Sequence, residues 1–214
     1  MKKTVIFDLD GTLTDSAPGI LNAIEYVRQK KQLPRLTDKQ LRSCIGPPLF
    51  DSFRRLWGVK EQDAQQLIKI YREYYNEKGI FENSLFPGIK EMLSALIQAN
   101  IDCRICSAKP ESMVLTVTEH FGIRNIFSVI SGAQGEKNFP GKGKMLEDML
   151  FTHPAASVMV GDRKDDVKGA KYIKIPCIGA LWGYGGKEEL QQEGAEFLAK
   201  SPAEIPLIAA LVFR

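Results

Sequence analysis

Four aspartates stand directly after two short apolar runs, and they are the most specific chemical signal in the sequence. Asp8 and Asp10 follow the run V-I-F, and Asp162 and Asp166 follow the run V-M-V-G. If these carboxylates share one pocket, each like-charged pair near 4 Å costs roughly 1–4 kcal/mol. Such a cluster persists when a cation occupies it or when some carboxyls are protonated. Oxygen ligands favour Mg²⁺, and the absence of His and Cys from these motifs disfavours zinc.

Further polar residues follow a third apolar run or begin a helical pattern. Ser107, Ala108 and Lys109 come after residues 101–106, and Lys142 and Lys144 begin the helical pattern before residues 157–160. In an α/β sheet, ligands bind beyond the carboxyl ends of the strands. We therefore expect the hydroxyl, a lysine and the four carboxylates to meet at one edge of a sheet.

The elements that must position these residues alternate between helix and strand from residue 87 onward. Short apolar strands are predicted at 4–8, 101–106, 128–131, 157–160 and 175–180, with amphipathic helices between the later ones. This alternation predicts an α/β fold with a mostly parallel sheet. Residues 16–85 show only helical patterns. We predict an α/β core made of residues 1–15 and 86–214, with an α-helical domain of residues 16–85 inserted after the first strand.

Composition fits this organisation and excludes several classes of protein. The 214 residues correspond to one domain or one domain with an insert, and 44% hydrophobic with 26% charged residues is typical of globular chains. A net charge of +3 is too small to indicate nucleic acid as a partner. No apolar run fits a membrane span or a secretory signal, so we expect a cytoplasmic protein with reduced thiols. Cys103 and Cys106 would point to opposite faces of one strand, as buried thiols.

The motifs resemble those of the haloacid dehalogenase-like hydrolase superfamily. D-L-D-G-T-L-T-D-S at residues 8–16, S-A-K-P at 107–110, Lys142 and G-D-R-K-D-D at 161–166 occur in the order and spacing of that superfamily. The chain is most similar to its phosphoglycolate-phosphatase-like branch, through I-G-P-P-L at 45–49, Y-R-E-Y-Y at 71–75 and L-W-G-Y-G at 181–185. The resemblance implies a Rossmann-like three-layer core and a mobile helical cap.

The resemblance also implies a mechanism. Asp8 would be the nucleophile that forms an aspartyl-phosphate, and Asp10 would be the general acid and base. Mg²⁺ would be held by the Asp8 carboxylate, the Asp10 backbone carbonyl and Asp162, with Asp166 acting through a water or another ligand. Ser107 and nearby backbone N–H groups, such as that of Ala108, would bind phosphate oxygens. A lysine would neutralise charge in the transition state.

Two lysines are candidates for this last role. Lys142 is favoured because the apolar residues that follow it then lie on the expected face of the helix. Lys144 stays open as the alternative, since glycines at 141 and 143 leave the start of the helix poorly defined.

Specificity is expected to come from the helical insert, because the catalytic residues would contact only the phosphoryl group and its ester oxygen. Arg54 and Arg55 are the predicted cap contacts to substrate, and small anionic phosphomonoesters are predicted over bulky nucleotides. The tyrosines at 71–75 are predicted to pack within a helix. The predicted partner is thus a small phosphorylated substrate, with neither nucleic acid nor membrane, and monomer and homodimer both stay open.

Single residues disfavour two other functions, and two more stay open. Asp10 disfavours a dehalogenase, because dehalogenases of this superfamily lack the second aspartate. Ile20 disfavours a phosphomutase, since related mutases carry a histidine at that position. A 5′-nucleotidase of the same architecture is not distinguished by any residue of the insert. A non-catalytic phosphate-binding module would be separated from an enzyme by an assay of hydrolysis.

Overall fold

A six-stranded sheet forms the centre of the molecule. The computed structural model describes residues 3–134, 140–151 and 156–214. The eight strands are β1 (Thr4–Phe7), β2 (Thr14–Asp15), β3 (Ser84–Leu85), β4 (Asp102–Pro110), β5 (Phe127–Ala133), β6 (Ser157–Gly161), β7 (Cys177–Ala180) and β8 (Phe197–Ala199). The main sheet has the order β5-β4-β1-β6-β7-β8, and each neighbouring pair in it is parallel.

In the part of the chain that the structure describes, ten α-helices connect and cover these strands. They are α1 (Ala17–Lys31), α2 (Asp38–Arg42), α3 (Leu49–Trp57), α4 (Glu61–Tyr74), α5 (Ile89–Gln98), α6 (Glu111–His120), α7 (Lys142–Leu150), α8 (Lys164–Tyr172), α9 (Gly186–Glu193) and α10 (Ile205–Val212). A π-helical turn, Tyr75–Gly79, continues α4. Within the residues that the structure describes, none of these helices has the length and apolarity that crossing a membrane requires.

The two faces of the sheet are buried in separate hydrophobic clusters. Val5 and Phe7 of β1 pack in the larger cluster, whereas Ile6 packs in the smaller one with residues of α7 and α8. A strand buried on both faces is rich in apolar residues, which explains the run V-I-F after Thr4. Cys103 and Cys106 likewise fall in different clusters and are free thiols. The predicted α/β fold with a mostly parallel sheet is therefore confirmed.

The helical insert lies between two very short strands. β2 and β3 pair antiparallel, with Thr14 opposite Leu85 and Asp15 opposite Ser84. The chain thus leaves the core and returns to it at one place, close to the predicted boundaries at 15/16 and 85/86. Helices α1 to α4 and the π turn fill the interval. That this insert behaves as a separate domain stays a prediction.

Candidate active site

The site begins where β1 ends. Asp8 follows Phe7 directly and is 4% exposed, and its backbone N–H donates to the Val160 carbonyl of β6 at 2.9 Å. The side chain is held on both oxygens. The backbone N–H of Leu9 donates to Oδ1 at 2.8 Å, and Lys142 Nζ lies 3.0 Å from Oδ2. The Asp8 carboxylate is therefore fixed in direction and aimed out of the carboxyl end of the central strand.

Two further carboxylates come from the end of β6 and the first turn of α8. Asp162 is fully buried, and it accepts a hydrogen bond from Thr12 Oγ1 at 3.0 Å and another from the Tyr184 backbone N–H at 2.8 Å. Asp166 is also fully buried and accepts from the Arg163 backbone N–H at 2.9 Å. Loops that are far apart in the sequence thus converge on Asp162.

Lys142 reaches the same place from the start of α7. Its ammonium donates to Asp166 Oδ1 and lies 3.0 Å from Asp8 Oδ2, and the side chain is almost fully buried. Burial opposes the charge, but the carboxylates of Asp166 and Asp8 outweigh burial and raise the pKa of Lys142. Lys144 is half exposed and pairs instead with Glu147 at 2.7 Å and Asp148 at 2.9 Å. Of the two candidates, the fold brings Lys142 to the cluster.

The site carries more negative charge than positive charge. Carboxylate oxygens of Asp8, Asp162 and Asp166 all lie within 4.8 Å of one another. Lys142 bridges two of the three carboxylates, while Asp162 bonds to a neutral hydroxyl and a neutral N–H. Burial, together with the charges of Asp166 and Asp8, raises the pKa of Asp162 to about 8. A set of clustered, oxygen-only ligands with excess negative charge fits a hard divalent cation such as Mg²⁺.

Gly11 allows the first loop to close over this cluster. Its φ is +88°, a conformation that residues with a side chain rarely adopt. A Cβ at this position would lie 2.3 Å from Asp162 Oδ2. The glycine of the motif D-L-D-G-T is thus required both by the turn and by the approach of Asp162.

Asp10 lies outside the three-carboxylate cluster and is paired with a different lysine. Lys109 Nζ lies 3.2 Å from Asp10 Oδ1 and 3.0 Å from Oδ2, and it donates to the Tyr75 hydroxyl at 2.5 Å. Asp10 and Lys109 are each less than a tenth exposed. The Asp10 side chain therefore faces the helical insert. Its predicted backbone ligation of a metal stays a prediction.

The predicted phosphate-binding residues follow the apolar part of β4. Ser107 is 2% exposed, and its Oγ accepts from the Lys109 backbone N–H at 3.3 Å. Ala108 is half-buried and lines a small cavity together with Asp8, Lys142 and Asp166. Ala108 therefore lies beside Asp8, as the sheet-edge argument expects.

A cleft extends from this cavity toward the insert. Its volume is about 80 Å³, and its walls come from the core and from α4 and the loop of residues 44–49. The loop is held down by Arg163, whose guanidinium donates to the Ile45 carbonyl and pairs with Glu189 at 2.9 Å. Arg163 thus directly connects the loop after β6, which carries Asp162, to the insert.

The predicted cap contacts do not line this cleft. Arg54 and Arg55 are both exposed on α3. The guanidinium of Arg54 lies 5.5 Å from the Phe50 ring centroid, and Arg55 donates to Ser43 Oγ at 3.0 Å. The cations that do line it are Arg72 and Lys109.

Sequence reasoning assigned no role to three residues of the site. Lys109 is expected at the sheet edge with Ser107, but the sequence does not indicate that it pairs with Asp10. Arg72 and Tyr75 belong to a helical run rich in tyrosines, where packing alone is the usual explanation. Tyr71 and Tyr75 do pack, with ring centroids 5.1 Å apart, yet both also line the cleft.

Comparison with known proteins adds independent information. A family model described as haloacid dehalogenase-like hydrolase matches residues 5–180. A 5′-nucleotidase from Pseudomonas aeruginosa is 30% identical over 190 residues, covering 87% of this chain and 86% of that protein. A phosphoglycolate phosphatase from Yersinia pseudotuberculosis is 31% identical over 194 residues, covering 87% of this chain and 84% of that protein.

Two further similarities cover almost the whole chain. The tyrosine-protein kinase PtkA from Mycobacterium tuberculosis is 34% identical over 211 residues, which cover 97% of this chain and 69% of that protein. The crystal structure of a predicted phosphatase from Clostridium acetobutylicum superposes with a TM-score of 0.92 at 32% identity, covering 99% of both chains.

Proposed function

Since the chain belongs to the haloacid dehalogenase-like hydrolase family and is a phosphatase of that family, we propose that it hydrolyses a small phosphomonoester through a phosphorylated Asp8, with Mg²⁺ as cofactor. One observation carries this proposal. A buried carboxylate at the end of the central strand is fixed by the Leu9 N–H and by Lys142, next to two more buried carboxylates.

The first half of the reaction is assigned to Asp8 and Asp10. An Asp8 oxygen bonds to phosphorus while the bond from phosphorus to the ester oxygen breaks. Protonated Asp10 gives its proton to that ester oxygen, which leaves as an alcohol. Lys142 beside Asp8, with Ser107 and the N–H of Ala108, is placed to stabilise the charge on the phosphoryl oxygens.

The second half returns the enzyme to its starting state. Asp10 takes a proton from a water molecule, whose oxygen bonds to phosphorus as the bond from phosphorus to Asp8 breaks. Inorganic phosphate is released, and Asp8 is a carboxylate again. The contact of Asp10 with buried Lys109 holds its side chain on the cleft side of the site, where an ester oxygen would lie.

Asp8, Asp162 and the Asp10 backbone carbonyl are the residues proposed to hold Mg²⁺, with Asp166 acting through Lys142 or a water. When bound, the ion lets two anions, the Asp8 carboxylate and the phosphate, approach each other. The buried oxygen ligands and their excess negative charge support this assignment.

The size of the cleft favours a small substrate. An apolar cavity of about 150 Å³ holds one benzene molecule, whereas this cleft, which is open to solvent, has a volume of about 80 Å³. A short acid fits such a space better than a nucleoside. The similarity to a phosphoglycolate phosphatase agrees with this preference, and the similarity to a 5′-nucleotidase makes a nucleotidase the second candidate.

A substrate panel tests the proposed function. Release of inorganic phosphate is measured from p-nitrophenyl phosphate, 2-phosphoglycolate and several nucleoside monophosphates, with Mg²⁺ and with excess EDTA. We expect release that depends on Mg²⁺ and the highest kcat/KM for 2-phosphoglycolate. A nucleotide preference would favour the nucleotidase, and full activity in EDTA would remove the metal. Because one relative is named a kinase, free phosphate, and not transfer to an acceptor, is the required product.

We also propose a cytoplasmic location, supported by the four cysteines being free thiols. The proposed partner is the small phosphorylated substrate itself.

A further inference from the structure

The loop that follows β7 contacts two regions that lie far apart in the sequence. It carries the motif L-W-G-Y-G at residues 181–185, to which the reaction proposed above assigns no role. One part of this loop contacts Asp162, and another contacts the place where the insert leaves the core. We call that place the junction and define it as β2 together with β3.

The backbone of the loop lies directly against Asp162. The Tyr184 backbone N–H donates to Asp162 Oδ2 at 2.8 Å. A Cβ at Gly183 would lie 2.2 Å from the Asp162 Cβ and 2.4 Å from the Gly11 carbonyl oxygen. Only a glycine fits between these atoms, so no gap separates the loop from the carboxylate. A displacement of Asp162 would therefore be transmitted to the backbone of Tyr184.

The side chain of Tyr184 reaches the junction. Its hydroxyl donates to Asp15 Oδ1 at 2.7 Å and accepts from the Ala17 backbone N–H at 3.0 Å. Asp15 is the last residue of β2, and Ala17 is the first residue of α1, the first helix of the insert. The hydroxyl thus bridges the end of the strand that enters the insert and the start of the helix that follows it.

The bond to Asp15 is suited to fix a position. A hydrogen bond to a carboxylate is about twice as strong as one between neutral groups. A tyrosine side chain has only two rotatable bonds, so a held backbone and a held hydroxyl leave it little freedom. Tyr184 can therefore keep the junction at a defined place relative to Asp162.

The position of the junction matters for the cleft above the site. Tyr71 and Tyr75 of the insert form part of the cleft wall, and Asp10 lies on the core side. The chain passes from the core into the insert and back through the paired strands β2 and β3. A fixed junction therefore helps to place this wall opposite Asp10.

We propose that Tyr184 is a positioning residue that holds the junction in place relative to Asp162, so that fixing this carboxylate also fixes the start of the insert. The backbone N–H makes the contact at one end, and the hydroxyl makes it at the other. The inference rests on the proposed function only for the ion that would fix Asp162, because Asp162 is a proposed ligand of Mg²⁺.

Hydrogen exchange of the amides of residues 14–20, followed by mass spectrometry, tests the proposal. Tyr184→Phe removes the hydroxyl and keeps the backbone N–H that donates to Asp162. Without Mg²⁺, exchange in this segment should be about 10-fold faster than in the wild type, the lower end of the range for losing a hydrogen bond to a charged group. Exchange in the main sheet should not change. Mg²⁺ should slow exchange at residues 14–20 in the wild type and do so much less in Tyr184→Phe.

Tyr172→Phe is the matched control, because it removes the same hydroxyl from a tyrosine that is 62% exposed on α8. Its exchange at residues 14–20 should equal that of the wild type. Asp15→Asn removes the charge at the other end of the same hydrogen bond. If Tyr184 and Asp15 act through one contact, the double variant should exchange no faster than the faster single variant. Unchanged exchange in Tyr184→Phe overturns the proposal, and so do additive effects in the double variant.

Thermal denaturation separates this inference from the proposed function. A rise in Tm with Mg²⁺ shows that the ion binds, and Tyr184→Phe should keep most of this rise because its contact with Asp162 is intact. If even the wild type gains no stability from Mg²⁺, the proposed cofactor is wrong, while exchange in the metal-free protein still decides the role of Tyr184. Mg²⁺ that binds and slows exchange equally in the wild type and in Tyr184→Phe overturns the proposal.

Discussion

The lower and upper parts of the site are held together in different ways. The floor, which we define as Asp8, Asp162, Asp166 and Lys142, is buried throughout. Each of its three carboxylates contacts one side chain and accepts a hydrogen bond from one backbone N–H. The roof consists of residues 46–48, Arg72 and Tyr75, and most of its residues are half-buried. Tyr75 accepts a hydrogen bond from Lys109 of the core, and the Ile45 carbonyl, next to the roof, accepts one from Arg163.

This contrast separates chemistry from selectivity. In the proposed reaction the floor would contact the group that all phosphomonoesters share, so its geometry has to be fixed before any substrate arrives. The roof would contact the part that differs between substrates. Variants of the floor should therefore reduce the rate for every substrate, and variants of the roof should change the ranking of substrates. The following experiments test that distinction.

The largest effect is expected from Asp8→Asn. An amide is a very poor nucleophile, so turnover should fall by at least about 10⁴-fold, with the same loss for all substrates. Phosphate release is measured, and covalent labelling of the protein is followed by mass spectrometry. Near-native turnover of any one substrate would show that the nucleophile is misassigned.

Asp10→Asn should reduce kcat by about 10²–10⁴-fold, the usual effect of losing a general acid and base. The loss should be larger for an alkyl phosphate than for p-nitrophenyl phosphate, because the nitrophenolate leaves without a proton. Rates are compared for the two esters. An equal loss for both would mean that Asp10 acts by position or charge alone, through its contact with Lys109.

Replacing Lys142 should damage the floor itself. Lys142→Met leaves the buried carboxylates of Asp8 and Asp166 without their ammonium, and breaking a buried pair in this way costs about 3–5 kcal/mol. Urea denaturation without Mg²⁺ measures the change, and hydrolysis should be lost as well. Lys144→Met, in which an exposed side chain is removed, should leave both the stability and the rate unchanged. The reverse ranking would assign the role to Lys144.

The raised pKa of Asp162 predicts how Mg²⁺ and protons compete. Because burial and neighbouring carboxylates raise this pKa from 3.8 to about 8, the folded state binds the proton more tightly than the unfolded state does. Without metal, the free energy of unfolding should therefore fall as the pH rises toward about 8. Mg²⁺ should raise the Tm more at about pH 8 than at about pH 6, where the proton occupies the site. A larger shift at the lower pH contradicts the assignment of Asp162.

The smallest effect is expected where floor and roof meet. Arg163→Ala removes the contacts to the Ile45 carbonyl and Glu189 but keeps the backbone N–H that donates to Asp166. Stabilisation by Mg²⁺ should persist, while kcat/KM should fall by roughly 2–10-fold, the effect of losing one hydrogen bond and a partly exposed ion pair of small net value. Lys164→Ala, at the exposed neighbouring position, is the control. Loss of Mg²⁺ binding in Arg163→Ala would show that the two regions are not separable.

The floor could be predicted from the sequence because its residues follow strands that are recognisable by themselves. Asp8 and Asp162 come directly after short, wholly apolar runs, and the carboxyl ends of parallel strands meet at one edge. Lys142 was favoured over Lys144 from the helical periodicity of the residues that follow it. The assigned roles of these residues stay predictions, although the fold brings the side chains together as expected.

The roof could not be predicted because its geometry depends on tertiary packing. Tyr75 lies where α4 changes into a π turn, and this change of helical period rotates the following side chains in a way that periodicity does not reveal. Lys109 and Asp10 are far apart in sequence and meet because β1 pairs with β4. Strands β2 and β3 have two residues each, too few for an alternating pattern.

The pairing of β2 with β3 has a consequence for how this molecule can change over evolution. Asp15 and Ser84 are neighbours in a ladder, so the whole helical insert is a loop whose two ends already touch. The entropy of closing such a loop grows only slowly with its length. A longer, shorter or differently folded insert can therefore replace this one at the same two positions without moving any strand of the main sheet. The core can keep one reaction while different inserts select different substrates.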